Sequence, residues 1–335
     1  MNDHRERDPS AVALTPRRRV LAAAVPVLAG GAATALSAGP ARAVASVRRD
    51  PIRPLRTAAG DWRAVAGALG RPGNMMGAFD YHTAFLRTDL KVISDGVTVM
   101  PGLALGSHVG FVRYADGSSM VMGDLVATED ELQQMMDALQ AHGFMQTAIH
   151  KHLLAHTPDL WWTHAHARGG DPVALARGLR AALDATQTPM DVQSAAHEPV
   201  DLDTAGIDAA LGVKGYSEDG VYKCIFVRRE TITDEGLVLP PGLGSTSALN
   251  FQPLGEGQAA INGDLVMIAD EVNDVLAALR QGNIDIVGLH NHALADDPRL
   301  FFTHVWAVGD AVTLARALRR AVSATNTTPR TTPRT

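Results

Sequence analysis

Leu132, Met135, Met136 and Leu139 stand at i, i+3, i+4 and i+7, which is one apolar stripe along a helix. Just before them, Thr128-Glu129-Asp130-Glu131 reads as a capping box, and Gly143 supplies the stop. Val173, Leu175, Ala176, Leu179 and Leu183 form a second stripe, opened by Asp171-Pro172, a capping residue followed by a proline suited to the first turn. A shorter helix spans Asp61 to Leu69 and ends at Gly70. Elsewhere the period falls to two, or to short apolar runs that predict strands over Tyr81–Leu86, Leu90–Ser94, Ser107–Tyr114 and Ser118–Val126. Asp116-Gly117 is a hairpin signal between the last two. Two further strands, Gln146–Leu154 and Leu160–Ala167, precede the final helix.

The same order returns about 140 residues later. Met122-Gly123-Asp124-Leu125-Val126 is matched by Asn262-Gly263-Asp264-Leu265-Val266, and His150-Lys151-His152 by His290-Asn291-His292. Trp161-Trp162-Thr163-His164 is matched by Phe301-Phe302-Thr303-His304, and Leu175-Ala176-Arg177 by Leu314-Ala315-Arg316. A period this long marks a duplicated domain, since solenoid units repeat every ~20–50 residues. The predicted class is α+β: two tandem homologous domains, each a mostly antiparallel sheet with helices packed on one face. Repeat 1 is expected over residues 61–188, a connector over 189–199 and repeat 2 over 200–325.

The ends read differently. Arg17-Arg18-Arg19-Val20-Leu21, an apolar run to Leu36 and Ala41-Arg42-Ala43 make residues 1–43 a twin-arginine-type export signal. Residues 44–60 read as a linker, and the Thr/Pro/Arg-rich residues 326–335 as a disordered tail. The expected location is periplasmic or extracellular, with no transmembrane segment in the mature chain. Six of the 30 basic and three of the 36 acidic residues fall within 1–43, leaving 24 against 33, a formal charge of −9. That acidity argues against a nucleic-acid partner. The single cysteine, Cys224, excludes a disulfide within the chain and any cysteine-based zinc site; it reads as a small buried hydrophobe.

The sharpest chemical signal is the pair of His-x-His motifs. Residues i and i+2 of a strand share a face, so His150 with His152, and His290 with His292, are expected side by side. A returning strand brings His164 or His304 towards the same face. Three neutral imidazoles suit a divalent transition metal, zinc or copper, with a water in the open position. Asp124 and Asp264 are the carboxylate candidates, orienting a histidine from behind or completing a metal shell, with Asp124 the candidate catalytic base. The competing readings are half-buried sheet histidines bonded to carbonyls or to these aspartates, and a turn or bulge at each Gly-Asp. Neither a Gly-x-Ser-x-Gly elbow nor His-Glu-x-x-His occurs.

The duplicated Gly-Asp-Leu, the His290-Asn291-His292 stretch, Asp297-Pro298-Arg299, His304-Val305-Trp306 and the closing Leu314-Ala315-Arg316 helix resemble the LppY/LpqO family of exported proteins. The resemblance covers both repeats and implies an exported protein built on a domain of unknown function. Members are often lipoproteins, whereas no lipobox cysteine follows the signal in this chain. The expected function is a binding protein with a His-lined site for a metal or for a small polar ligand or component of the envelope. The alternative is a metal-dependent hydrolase acting on envelope material, and the residues alone leave enzyme and binding protein undecided.

Overall fold

The computed structural model describes residues 50–191 and 198–330. The expected signal, residues 44–49 of the linker, 192–197 of the connector and 331–335 of the tail lie outside the described residues.

Both repeats build the same sheet. In the first, the strands lie in the spatial order Asn74–Met76, Asp80–Leu86, Gly106–Arg113, Ser119–Thr128, Leu160–Gly169 and Met145–His150, every neighbour antiparallel. In the second, the order is Tyr216–Glu218, Val221–Arg228, Thr246–Gly255, Gln258–Ile268, Leu300–Asp310 and Asp285–His290. Each copy adds a small three-stranded sheet: Val92–Ser94, Val97–Val99 and His156–Thr157 in one, Thr233–Asp234, Leu237–Val238 and Asp296–Asp297 in the other. The fold is α+β, as the periodicities predict.

Strand alternation decides what each face meets. Along Leu160–Gly169, Trp161, Ala165 and Ala167 turn towards the helices Arg63–Leu69, Glu129–Ala141 and Pro172–Asp184, forming one hydrophobic core. Residues of the opposite parity, Trp162 among them, turn the other way. Repeat 2 covers one face of its sheet in the same manner with Thr204–Leu211, Val272–Gln281 and Ala311–Ser323, and Cys224 is buried in that core.

The two uncovered faces meet each other. Leu105, Val126, Leu160 and Trp162 of repeat 1 pack with Val221, Ala260 and Trp306 of repeat 2 in one shared cluster. Val112, Tyr114, Met120 and Met122 pack with Leu237, Val266, Leu300 and Phe302 in another. Each large apolar side chain fully buried there contributes about 1.5–3 kcal/mol. Polar ties cross the same plane: Asn262 Nδ2 donates to His152 O (2.6 Å), Asn291 Nδ2 to Thr147 O (2.9 Å) and Gln252 Nε2 to Thr98 O (2.8 Å). The molecule is therefore layered helix, sheet, sheet, helix, with the two copies related by an approximate two-fold axis.

Local chemistry explains the element ends. Glu131 accepts from Thr128 N and Glu271 from Ile268 N, both at 2.9 Å, the reach-back half of a capping box. The same carboxylates receive a fully buried arginine, Arg87 in one copy and Arg228 in the other. Gly70 and Gly212 close the first helix of each repeat in left-handed conformation, φ 81° and 70°.

The structure differs from the sequence expectations at four places. Strand Met145–His150 ends before His152, which sits in the following bend. Gly123 and Gly263 mark neither a turn nor a bulge; they lie in unbroken strand pairing, where a Cβ would meet Val109 Cγ1 at 2.8 Å or Leu249 Cδ2 at 2.9 Å. Thr327–Pro329, expected to be disordered, pairs with Phe226–Arg228 because an unpaired sheet edge is open to it there. Part of the expected linker is likewise tied down, with Ile52 bridging to Leu237, Pro54 to Tyr114, and a short 3-10 turn at Ala59–Trp62.

Candidate metal centre

Cross-strand register builds the site. Asp124 pairs with His164, and Asp264 with His304, so each repeat sets a carboxylate beside an imidazole on its uncovered face. His150 and His290 close the neighbouring edge strands, and His152 and His292 sit in the bends that follow. Because the uncovered faces abut, the two sets form a single cluster of six histidines and two aspartates. Its rings interleave reciprocally across the axis. His150 stacks on His290 with centroids 4.0 Å apart, His152 faces His304 at 3.8 Å, and His164 faces His292 at 4.0 Å. Aromatic backing fixes the outer pair: Trp162 stacks on His152 and Phe302 on His292. Trp161, by contrast, packs with the helices of its repeat.

One chain of contacts is unusually close. Asp124 Oδ2 lies 3.0 Å from His152 Nε2, which lies 3.0 Å from His150 Nε2, which lies 3.2 Å from His304 Nε2. His304 Nδ1 is 3.3 Å from Gly263 O, a contact that places its proton on Nδ1 and leaves Nε2 a bare lone pair. His152 Nε2 must carry a proton to face a carboxylate. If His150 Nε2 also carries one, two N–H groups oppose each other; if it does not, two lone pairs do. No tautomer satisfies all three contacts, whereas a cation at their centre satisfies every one. Separations of 3.0–3.2 Å also approach the edge of a tetrahedral shell, about 3.3 Å for metal–nitrogen bonds of ~2.0–2.1 Å.

The mirrored set is looser. His292 Nε2 lies 3.1 Å from Asp264 Oδ2, and ligand atoms of His164, His290 and His292 fall within 4.8 Å of one another. Among the described residues, His164 Nε2 and both ring nitrogens of His290 have no hydrogen-bond partner, although all three atoms are buried. Asp124 Oδ1 and Asp264 Oδ1 are in the same condition. Such a concentration of buried unsatisfied atoms calls for an unrecorded partner.

Burial disfavours charge at five of the six histidines. It holds His150, His164 and His304 well below the usual histidine range, and His290 and His292 at about 3. These five imidazoles are thus neutral at physiological pH, which is the ligating form. Burial pushes Asp264 the other way, up to about 6, against the opposing influence of His290 and His152.

A cavity of about 300 Å³ opens on the cluster and reaches Asp124, Asp264, His152, His164, His292 and His304. Its walls are unequal. Repeat 1 contributes His82 and His108, whose rings stack 5.4 Å apart, and His108 pairs in register with Asp124. Repeat 2 contributes the buried ion pair Lys223–Glu218 (2.9 Å). Arg330 also lines it.

The structure brings together all eight sequence candidates: His150, His152, His164, His290, His292, His304, Asp124 and Asp264. It does not include His156, which bonds locally to Leu153 O and Leu160 N, or His166, which lies 3.6 Å from Asp234 of the other repeat. The cavity walls were not foreseen, because positions that differ between copies, such as His82 against Lys223 or His108 against Ala248, carry no duplication signal. Asn262 and Asn291, which tie the repeats together, were missed for the same reason.

Comparison with known proteins gives one family. A model described as Domain of Unknown Function (DUF1259) matches residues 63–185 and again 205–324. No curated protein matches. Among solved structures, a trimeric bacterial microcompartment shell protein, PduB, aligns at 11% identity over 73% of this chain and 86% of that chain, with a TM-score of 0.19. At that score the likeness says nothing about fold or function.

Proposed function

The chain belongs to the family described as Domain of Unknown Function (DUF1259), carrying the domain twice, and we propose that it is a transition-metal-binding protein whose site is the His/Asp cluster between its repeats. One observation carries this reading: the Asp124–His152–His150–His304 chain has no self-consistent proton arrangement, and a cation resolves it. All-imidazole and carboxylate donors suit zinc, with copper the nearest competitor. The export-type signal at residues 1–43 and the likeness to the LppY/LpqO family support a role outside the cytoplasm, where the protein would bind metal or a metal-held component of the envelope.

A second reading, metal-dependent hydrolysis of envelope material, rests on the cavity that reaches the cluster. A bound ion there would act as Lewis acid towards a ligand in the cavity, and Asp124 or Asp264 would accept a proton from an attacking water.

The test is elemental analysis of the purified, folded protein beside His150→Ala/His152→Ala. Stoichiometric zinc or copper in the native protein, reduced in the variant, is the expected result. A metal-free native protein that also fails to take up added Zn(II) or Cu(II) refutes it. Turnover of peptidoglycan fragments by the loaded protein alone would move the conclusion to the hydrolase.

A further inference from the structure

We infer, on the basis of the metal-binding reading above, that the cluster holds two ions rather than one, and that each ion takes ligands from both repeats. The first shell of donors is Asp124 Oδ2, His152, His150 and His304, linked by successive separations of 3.0, 3.0 and 3.2 Å. Three of these come from repeat 1 and one from repeat 2. The approximate two-fold axis maps them onto Asp264, His292, His290 and His164, three from repeat 2 and one from repeat 1. The second set is observed: Asp264 and His292 are in contact at 3.1 Å, and His292, His290 and His164 converge.

Donor counting favours two positions. A catalytic zinc takes three protein ligands and a structural one four. Eight donors in one cluster exceed what a single ion can use; they form two symmetry-related His₃Asp sets, with His290 at the boundary, its ligand atom within 4.8 Å of those of His150 and His304 as well as those of His164 and His292. The buried atoms without partners distribute over both sets: His150 Nδ1 and Asp124 Oδ1 in one, His164 Nε2, both nitrogens of His290 and Asp264 Oδ1 in the other. An ion at the first position alone would leave His164 Nε2 and both nitrogens of His290 without a partner. His150 and His290 stack at 4.0 Å across the axis, so the two positions lie side by side. Paired metal sites of ~3.5–4 Å spacing are a recurrent arrangement.

The exchange of His164 and His304 between the sets makes a prediction that a repeat-local arrangement does not share. His304→Gln removes a ligand of the ion otherwise held by repeat 1. Combining it with His152→Gln therefore damages one position twice and leaves the other intact. Combining it with His292→Gln damages both. Metal-free protein is titrated with Co(II), followed by visible absorption, and with Zn(II) by equilibrium dialysis. Circular dichroism of each variant identifies any that fails to fold.

The expected result is two equivalents for the native chain, one for His152→Gln/His304→Gln, and loss of tight binding for His292→Gln/His304→Gln. The reverse pattern, with His292→Gln/His304→Gln retaining one equivalent and His152→Gln/His304→Gln none, overturns the exchange of ligands between repeats. A single equivalent in the native chain overturns the two-ion inference while leaving the metal-binding reading standing. No uptake at all overturns both.

Discussion

At the scale of single residues, the duplication acts as a control within the chain. His156 and Asp296 occupy equivalent positions and perform the same task with different chemistry. His156 Nε2 accepts from Leu160 N at 3.0 Å, and Asp296 Oδ2 accepts from Leu300 N at 2.9 Å. Burial lowers the histidine and raises the aspartate. The depressed histidine disfavours protonation in the folded state, so its contribution is fully present above the unfolded value of about 6.5 and is lost as pH falls below it. The raised aspartate works in the opposite direction, its contribution being lost as pH rises through its folded value. Metal-free protein should therefore lose stability between about pH 7.5 and pH 5, and His156→Asn should lose less over the same interval. Urea midpoints at the two pH values, for native and variant chains, check this. An equal loss in both removes His156 from the acid response. The cluster histidines contribute equally on both sides of that comparison.

At the scale of elements, what was legible in the sequence follows from what periodicity encodes. The helical stripes at Leu132–Leu139 and Val173–Leu183 point into one core because spacing of three and four residues defines a face without tertiary knowledge. The Gly-Asp motif shows the limit. Its repetition in both copies singled out Asp124 and Asp264, but a glycine before an aspartate is also a common turn signal. Only the sheet reveals that Gly123 makes room for Val109 and Gly263 for Leu249 on the helix-facing side, while each aspartate turns to the other. Gly123→Ala or Gly263→Ala should thus overpack the core and cost about 1–3 kcal/mol, measured by equilibrium unfolding. A neutral result would mean that the strands shift freely at that point, and the alignment of Asp124 with His164 would lose its anchor. The buried arginines Arg87 and Arg228 were not legible either. Their partners lie up to 44 residues away, and no periodicity links an arginine at the end of a strand to a glutamate in a capping box.

At the scale of the whole molecule, the interface between repeats is where the sequence falls silent and where the chemistry lies. Each repeat alone offers three donors of one set and a single histidine of the other; only the packing of the uncovered sheets joins them. The same packing buries Trp162, Trp306 and Phe302, so neither repeat can unfold without exposing the inner face of the other. The chain should therefore unfold in one cooperative transition despite its two copies. A metal that binds only the folded state adds about 2.7 kcal/mol per site when its free concentration is ~100 times Kd. For a chain of this size unfolding as one unit, that corresponds to a rise in Tm of roughly 4–5 °C per site. Because every ion position draws on both repeats, metal should move the whole transition rather than split it. Calorimetry of metal-free and Zn(II)-loaded protein distinguishes the cases. A single transition that shifts upward intact is the expected outcome. Two separated transitions, only one of them responsive to metal, would mean that the ion is held within one repeat, and that the shared cluster is a product of packing rather than the reason the duplicated faces stay together.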